Sequence, residues 1–185
     1  MRTNVQIYPR KEDSELTYSD VLRDIEAWER NNGKALPVEY RHFLLTCLGG
    51  FPFPGCFDVS PDPWPEFLDG NPQEVTEFYT WKHVQELIST NYYYDGYPRG
   101  YLIIGDAVSP VHLLLGIRED NWGKIFLWYH STVDWGDDVN NERDLVFAAD
   151  SLNDLIHSFY DDGSASARRL WTRGAEKAHV KQVEF

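Results

Sequence analysis

The residues able to do chemistry on their own are few, and their spacing suits almost none of it. Cys47 and Cys56 fit no C-x-x-C pattern, and two cysteines do not make a disulfide framework. His42 precedes Cys47 by five residues, so on one helix they point to different faces. Cys47 also belongs to an apolar stripe, which marks a buried structural thiol and not a nucleophile. His112 and His130 become cross-strand neighbours in one of the hairpin registers open to the sequence. Zinc would need two further ligands, and no spaced Cys or His pair supplies them. The G-x-S-x-G elbow, the G-x-x-x-x-G-K-[ST] phosphate loop, G-x-G-x-x-G and H-E-x-x-H are all missing. His130 with Asp134 is the one acid–base pair left to consider. The sequence therefore predicts no catalytic residue, no metal and no cofactor.

What remains is chemistry suited to contact. The segment Asp134-Trp135-Gly136-Asp137-Asp138, continuing to Glu142, sets carboxylates around one tryptophan. Such carboxylates can meet Lys or Arg on a partner, with Trp135 as a desolvated anchor. Calcium is a weaker fit, because the D-x-[DN]-x-[DN]-G order is absent. Tyr92, Tyr93, Tyr94 and Tyr97 put four phenols in six residues, broken by a turn, so they cannot all face one core. Tyrosine offers wide contact at low entropic cost, which interfaces favour. Trp64, in a proline-rich loop with Asp58, Asp62 and Glu66, is the third candidate. The bland alternatives are a solvated acidic loop and tyrosines packed on a sheet edge.

The elements that must position these groups follow from periodicity. Val21, Leu22, Ile25 and Trp28 share one helical face, predicting a helix over about 19–32. Ser19 is expected to cap it and Gly33 to stop it. Pro37 suits the first position of a second helix, with Tyr40, Phe43, Leu44 and Cys47 inward and Gly49-Gly50 at its end. Six prolines over 51–73 make a long irregular loop, with a strand fragment over 56–59. A strand over 75–79 and a helix over 82–90 follow. Short β-branched and aromatic runs at 101–104, 111–117 and 124–130 read as strands, the last two a hairpin turning at 118–123. Both alternating sets of 124–130 are bulky, so that strand is internal and covered on both sides. Residues 145–149 form a further strand. Ser151 with Asp154 opens a closing helix bearing Leu152, Leu155, Ile156 and Phe159. A weak strand is expected over 5–8. The order predicts an α+β fold: N-terminal helices mainly on one face of a mostly antiparallel sheet, with a closing C-terminal helix.

A chain of 185 residues, 42% hydrophobic and 15% aromatic, can bury a sizeable core and is not a disordered acidic chain. Its net charge of −13 is uneven. Residues 163–185 carry five basic and two acidic groups, a local +3, which leaves −16 on the remainder. Such a body repels phosphate backbones and attracts basic proteins, so no direct nucleic-acid binding is expected. The N-terminus lacks a signal-peptide run, and 111–117, the longest apolar stretch, is far too short to span a bilayer. The expectation is a cytoplasmic protein with no membrane partner. The chain divides into an N-terminal extension (1–18), one domain (19–162) and a basic C-terminal tail (163–185) with helical character.

Four stretches in order resemble the SUKH superfamily of Smi/Knr-type domains. Leu36-Pro37 through Gly49-Gly50 is similar to its N-terminal signature, except that Leu48 stands where the family usually has Asn. Gly100 to Asp106 resembles its strand-plus-"iGd" element, and Gly123 to His130 its aromatic strand. Phe147 to Leu155 is similar to its closing helix. The resemblance implies a non-catalytic domain. Many bacterial members are immunity proteins that bind and neutralise toxin domains, often nucleases. The implied function is neutralisation of a cognate, basic toxin domain by occlusion. The alternative is a regulatory or scaffolding interaction module with no toxin partner.

Overall fold

The computed structural model describes residues 5–10, 16–90, 98–108, 110–129, 142–163 and 181–182. The first helix, α1 (Tyr18–Asn32), starts one residue before the expected boundary. Its cap is therefore Thr17 and not Ser19. Thr17 is extended, and its hydroxyl accepts a bond from the Asp20 amide at 3.2 Å. Gly33 ends the helix at φ 66°, as expected from its freedom in left-handed conformation.

Helix α2 (Val38–Cys47) buries the predicted stripe of Tyr40, Phe43, Leu44 and Cys47. Pro37 lies just outside it with ψ 131°, one position earlier than predicted. The turn between the helices is tied by Glu29, which accepts the Leu36 amide at 2.9 Å and pairs with Arg41 at 3.4 Å. Leu48 is the left-handed residue at the end of α2, with φ 63°, and its amide still bonds to the Leu44 carbonyl. The helix-ending bond is thus kept where the family's usual Asn is missing. Gly50 follows because a Cβ there would stand 2.4 Å from the Tyr8 carbonyl oxygen.

Short strands come next: β1 (Gln6–Tyr8), earlier in the chain, then β2 (Phe51–Phe53), β3 (Cys56–Phe57), β4 (Gln73–Glu74) and β5 (Glu77–Phe78). The expected strand over 75–79 is thus only two residues long. Helix α3 (Trp81–Thr90) meets α1 edge-to-face through Trp28 and Trp81, centroids 5.7 Å apart. The meander β6 (Tyr101–Asp106), β7 (Val111–Gly116), β8 (Ile125–Tyr129) and β9 (Leu145–Ala149) completes an antiparallel sheet in the order β5-β6-β7-β8-β9. Helix α4 (Leu152–His157) closes it, capped by Ser151 as predicted.

The register decides which side chains share a face. Leu113, Leu127 and Val146 lie across from one another and are buried, and Phe78 joins that face opposite Gly105. Phe43 of α2 reaches Phe78 at 4.9 Å, and Phe159, just past α4, reaches it at 6.4 Å. The helical layer covers this side. The opposite side carries two cross-strand rows, Asp106–His112–Trp128–Leu145 and Ile103–Leu114–Phe126–Phe147. Leu114 and Trp128 are buried there too, so β8 is covered on both faces as its bulky alternation predicted.

Trp128, not His130, stands opposite His112, and His130 lies outside the described residues. The two cysteines are free and buried, with no bridge between them. A second sheet has the order β10-β1-β2, where β10 (Lys181–Gln182) pairs antiparallel with β1. Part of the basic tail therefore returns to the body as strand, and Ile7 between its two partners is fully buried.

Candidate protein-binding surface

The proline-rich loop is built around Asn71. Its side chain accepts the Val59 amide at 2.9 Å and donates to the Val59 carbonyl at 2.8 Å, pinning the two ends together. Inside that clasp the Trp64 indole N–H donates to the Leu68 carbonyl at 2.7 Å, and Leu68 is buried. Trp64 nevertheless stays 40% exposed, so an aromatic anchored through its indole N–H faces outward. Phe67 from the same loop stacks on Tyr129, centroids 5.0 Å apart and planes within 18°. Tyr129 is the last residue of β8, five positions before Asp134. The loop of Trp64 is thus fastened to the strand that leads into the acidic segment.

Of that segment, Asp134, Trp135, Asp137 and Asp138 lie outside the described residues, as do Tyr92, Tyr93, Tyr94 and Tyr97. Glu142 is described, in a short 3-10 turn (Glu142–Asp144) just before β9. Its carboxylate binds the guanidinium of Arg118. That arginine, absent from the sequence candidates, gathers contacts from several directions. Its side chain bonds Asp120 at 3.1 Å, lies 5.2 Å over the Tyr101 ring and has its stem against Gly100. Its backbone amide donates to Asn121 Oδ1 at 2.8 Å. The bond to Glu142 is the largest influence holding the guanidinium in its charged form. Arg118 sits in the turn between β7 and β8, and nothing in a single arginine's type or spacing announced this role.

The Asp106 carboxylate bonds His112 Nδ1 at 2.7 Å, and the imidazole stacks on Trp128 at 5.8 Å. This pair fixes the orientation of a sheet-face histidine. Among the described residues no group of three or more His, Cys, Asp or Glu could hold a metal ion. Burial pushes the Cys56 thiol up to about 12, with Asp162 and Glu74 adding to it. Asp58 accepts the Tyr160 hydroxyl at 2.7 Å and pushes that phenol up to about 12. Neither group is poised to ionise near neutrality.

Helices lie against one face of an antiparallel sheet, with Trp64 exposed in the proline-rich loop and Glu142 paired with Arg118 at the start of β9. The chain belongs to the SMI1 / KNR4 family (SUKH-1), whose model matches residues 22–158. Domains of this family are not catalytic and are generally associated with toxin–immunity interactions. No curated protein matches the chain. Among the described residues no helix is long and apolar enough to cross a membrane.

Proposed function

We propose that this protein is an immunity-type inhibitor that neutralises a cognate bacterial toxin domain, a basic nuclease, by occluding it. The observation that carries the reading is the net charge of −13 on a chain of this family. A nuclease must hold phosphates, so its working surface is positive. An acidic body is drawn to that surface and blocks it, accelerating encounter and rejecting nucleic acid itself. The partner surface is assigned to Trp64, to the segment from Asp134 to Glu142, and to Tyr92, Tyr93, Tyr94 and Tyr97. The Phe67–Tyr129 stack, which ties the loop of Trp64 to the strand entering that segment, supports the grouping. The protein acts in the cytoplasm, where such a toxin would otherwise reach its substrate.

The test is co-expression with the toxin domain encoded beside it. Growth is expected to be rescued, and the complex to form faster at low than at high salt. Failure to rescue, with no toxin co-purifying, removes the inhibitor reading and leaves a regulatory or scaffolding module of the same family.

A further inference from the structure

The two edges of the five-stranded sheet are managed differently. At β5, Phe78 exchanges both backbone bonds with Gly50, each 2.8 Å, so that edge is met by another part of the chain. Strand β9 is last in the order, and among the described residues no backbone group pairs with its outer side. Unpaired N–H and C=O groups along an edge are a template for another strand, and proteins guard them with lysine, proline, bulges or cover. The sequence of β9, Leu145-Val146-Phe147-Ala148-Ala149, holds no charge and no proline. Phe147 is 48% exposed on it.

One guard is present. Ile125 faces Ala149 while Phe126 faces Phe147, so Ala148 is an extra residue that bulges the strand. The bulge leaves Leu145–Phe147 as the regular stretch. Carboxylates stand at both ends of the strand, Asp144 before it and the exposed Asp150 after it.

We propose that the outer edge of β9 receives an extended strand from a basic protein partner. The added strand makes backbone bonds along Leu145–Phe147, lays an apolar side chain on Phe147 and places Lys or Arg near Asp144 and Asp150. Backbone pairing supplies the affinity in this mode, and the flanking charges supply the choice. Charge also argues against a second copy of this chain as the occupant. Two antiparallel β9 strands would set the Asp144 end of each beside the Asp150 end of the other. This deepens the inhibitor reading by naming a surface for its partner, and its charge argument rests on that reading.

The test uses the isotope-labelled full chain and a synthetic peptide of alternating valine and threonine with a lysine at each end. A second peptide is identical except that it is N-methylated along one edge. The first is expected to shift and protect amides of residues 145–149. The methylated peptide is expected to bind about tenfold more weakly, having lost its backbone donors. Phe147→Lys should weaken the first peptide similarly. Equal binding of the two peptides would mean attraction by charge alone and overturn the proposal. So would self-association through β9 without any peptide. Should Phe147→Lys fail to fold, the pair of peptides on the unaltered chain decides. Toxin capture that survives Phe147→Lys in a folded protein sinks the edge and spares the inhibitor reading. Peptide addition without toxin capture does the reverse.

Discussion

The stem of Arg118 fills the space that a side chain on Gly100 would need: a Cβ at Gly100 would stand 2.3 Å from Arg118 Cγ and 2.5 Å from Cδ. Gly100 also has φ 84°, a conformation other residues adopt at a cost. The glycine before β6 and the arginine after β7 thus form one device. It lays a guanidinium across Tyr101 and delivers it to Glu142 at the root of β9.

Gly100→Ala is expected to destabilise the protein by about 2 kcal/mol, combining backbone strain of about 1 kcal/mol with the clash against Arg118. Arg118→Ala alone should cost only about 1 kcal/mol, because the ion pair is partly exposed and the ring contact is worth little more than half of that. In the double variant the clash disappears, so the two costs should fall short of their sum. Urea unfolding of the four proteins measures the coupling. Strict additivity would show that the stem yields freely to the methyl group.

Phe43 and Phe147 have the same side chain and opposite fates. Phe43 is fully buried between α2 and the sheet, 4.9 Å from Phe78, whereas Phe147 is half exposed on β9, the last strand of the sheet among the described residues. Phe43→Ala should cost about 3–5 kcal/mol, a large share of the total stability of about 5–15 kcal/mol expected of such a domain. Phe147→Ala should cost under about 1 kcal/mol, since it loses mainly its edge-on contact with Phe126 at 5.9 Å. Comparable losses in denaturant midpoint would contradict the placement of β9 at the edge.

The contrast marks what could be read from residues alone. The stripe of Tyr40, Phe43, Leu44 and Cys47 and the doubly bulky strand holding Leu127 and Trp128 were legible, because burial imposes a period that any window detects. Caps were legible in kind but not in place: Thr17 and Ser19 are equally able, and only the first turn's packing chooses between them. Leu48 holds a left-handed conformation that costs a residue with a Cβ about 1–2 kcal/mol, so the family's usual Asn suits the position on backbone grounds. The site was the least legible part. Trp64 was found because an aromatic in a proline-rich loop is conspicuous, but its clasp depends on Asn71, whose type is ordinary there. Arg118 and Phe147 gain their meaning from contacts and from sheet order, neither of which leaves a local signature.

Leu68 and Asn71 make a prediction about how Trp64 is presented. Asn71→Ala removes both bonds to Val59 and leaves that amide and carbonyl to find other partners. The expected loss is about 2–3 kcal/mol for two hydrogen bonds, one group being part-buried. The functional effect should exceed that of a remote variant of equal instability. Trp64 fluorescence should shift to the red as the bond to the Leu68 carbonyl loosens, and binding to the toxin domain should weaken even where the chain stays folded. In Trp64→Phe, Asn71→Ala should alter stability without the red shift. A spectrum unchanged by Asn71→Ala in the otherwise intact protein would show that the loop is held by other means.

Alkaline pH tests the surroundings of Cys56 and Tyr160. Burial holds the Cys56 thiol protonated up to about 12, against an ordinary value of 9.0. The bond to Asp58 moves Tyr160 from 10.0 to about 12. Both groups bind their protons more tightly folded than unfolded, so folding is unaffected by them below about pH 9. As pH rises from there toward about 12, the unfolded chain ionises while the folded chain resists, and stability falls. Cys56→Ala and Tyr160→Phe should each flatten that fall in chemical denaturation measured across the window. At neutral pH both thiols should react with a disulfide reagent only as fast as the chain opens, and promptly once it is unfolded. A slope in Cys56→Ala as steep as in the unaltered protein, or a thiol at Cys56 that reacts at the rate of a free peptide, would show the sulfur to be in water.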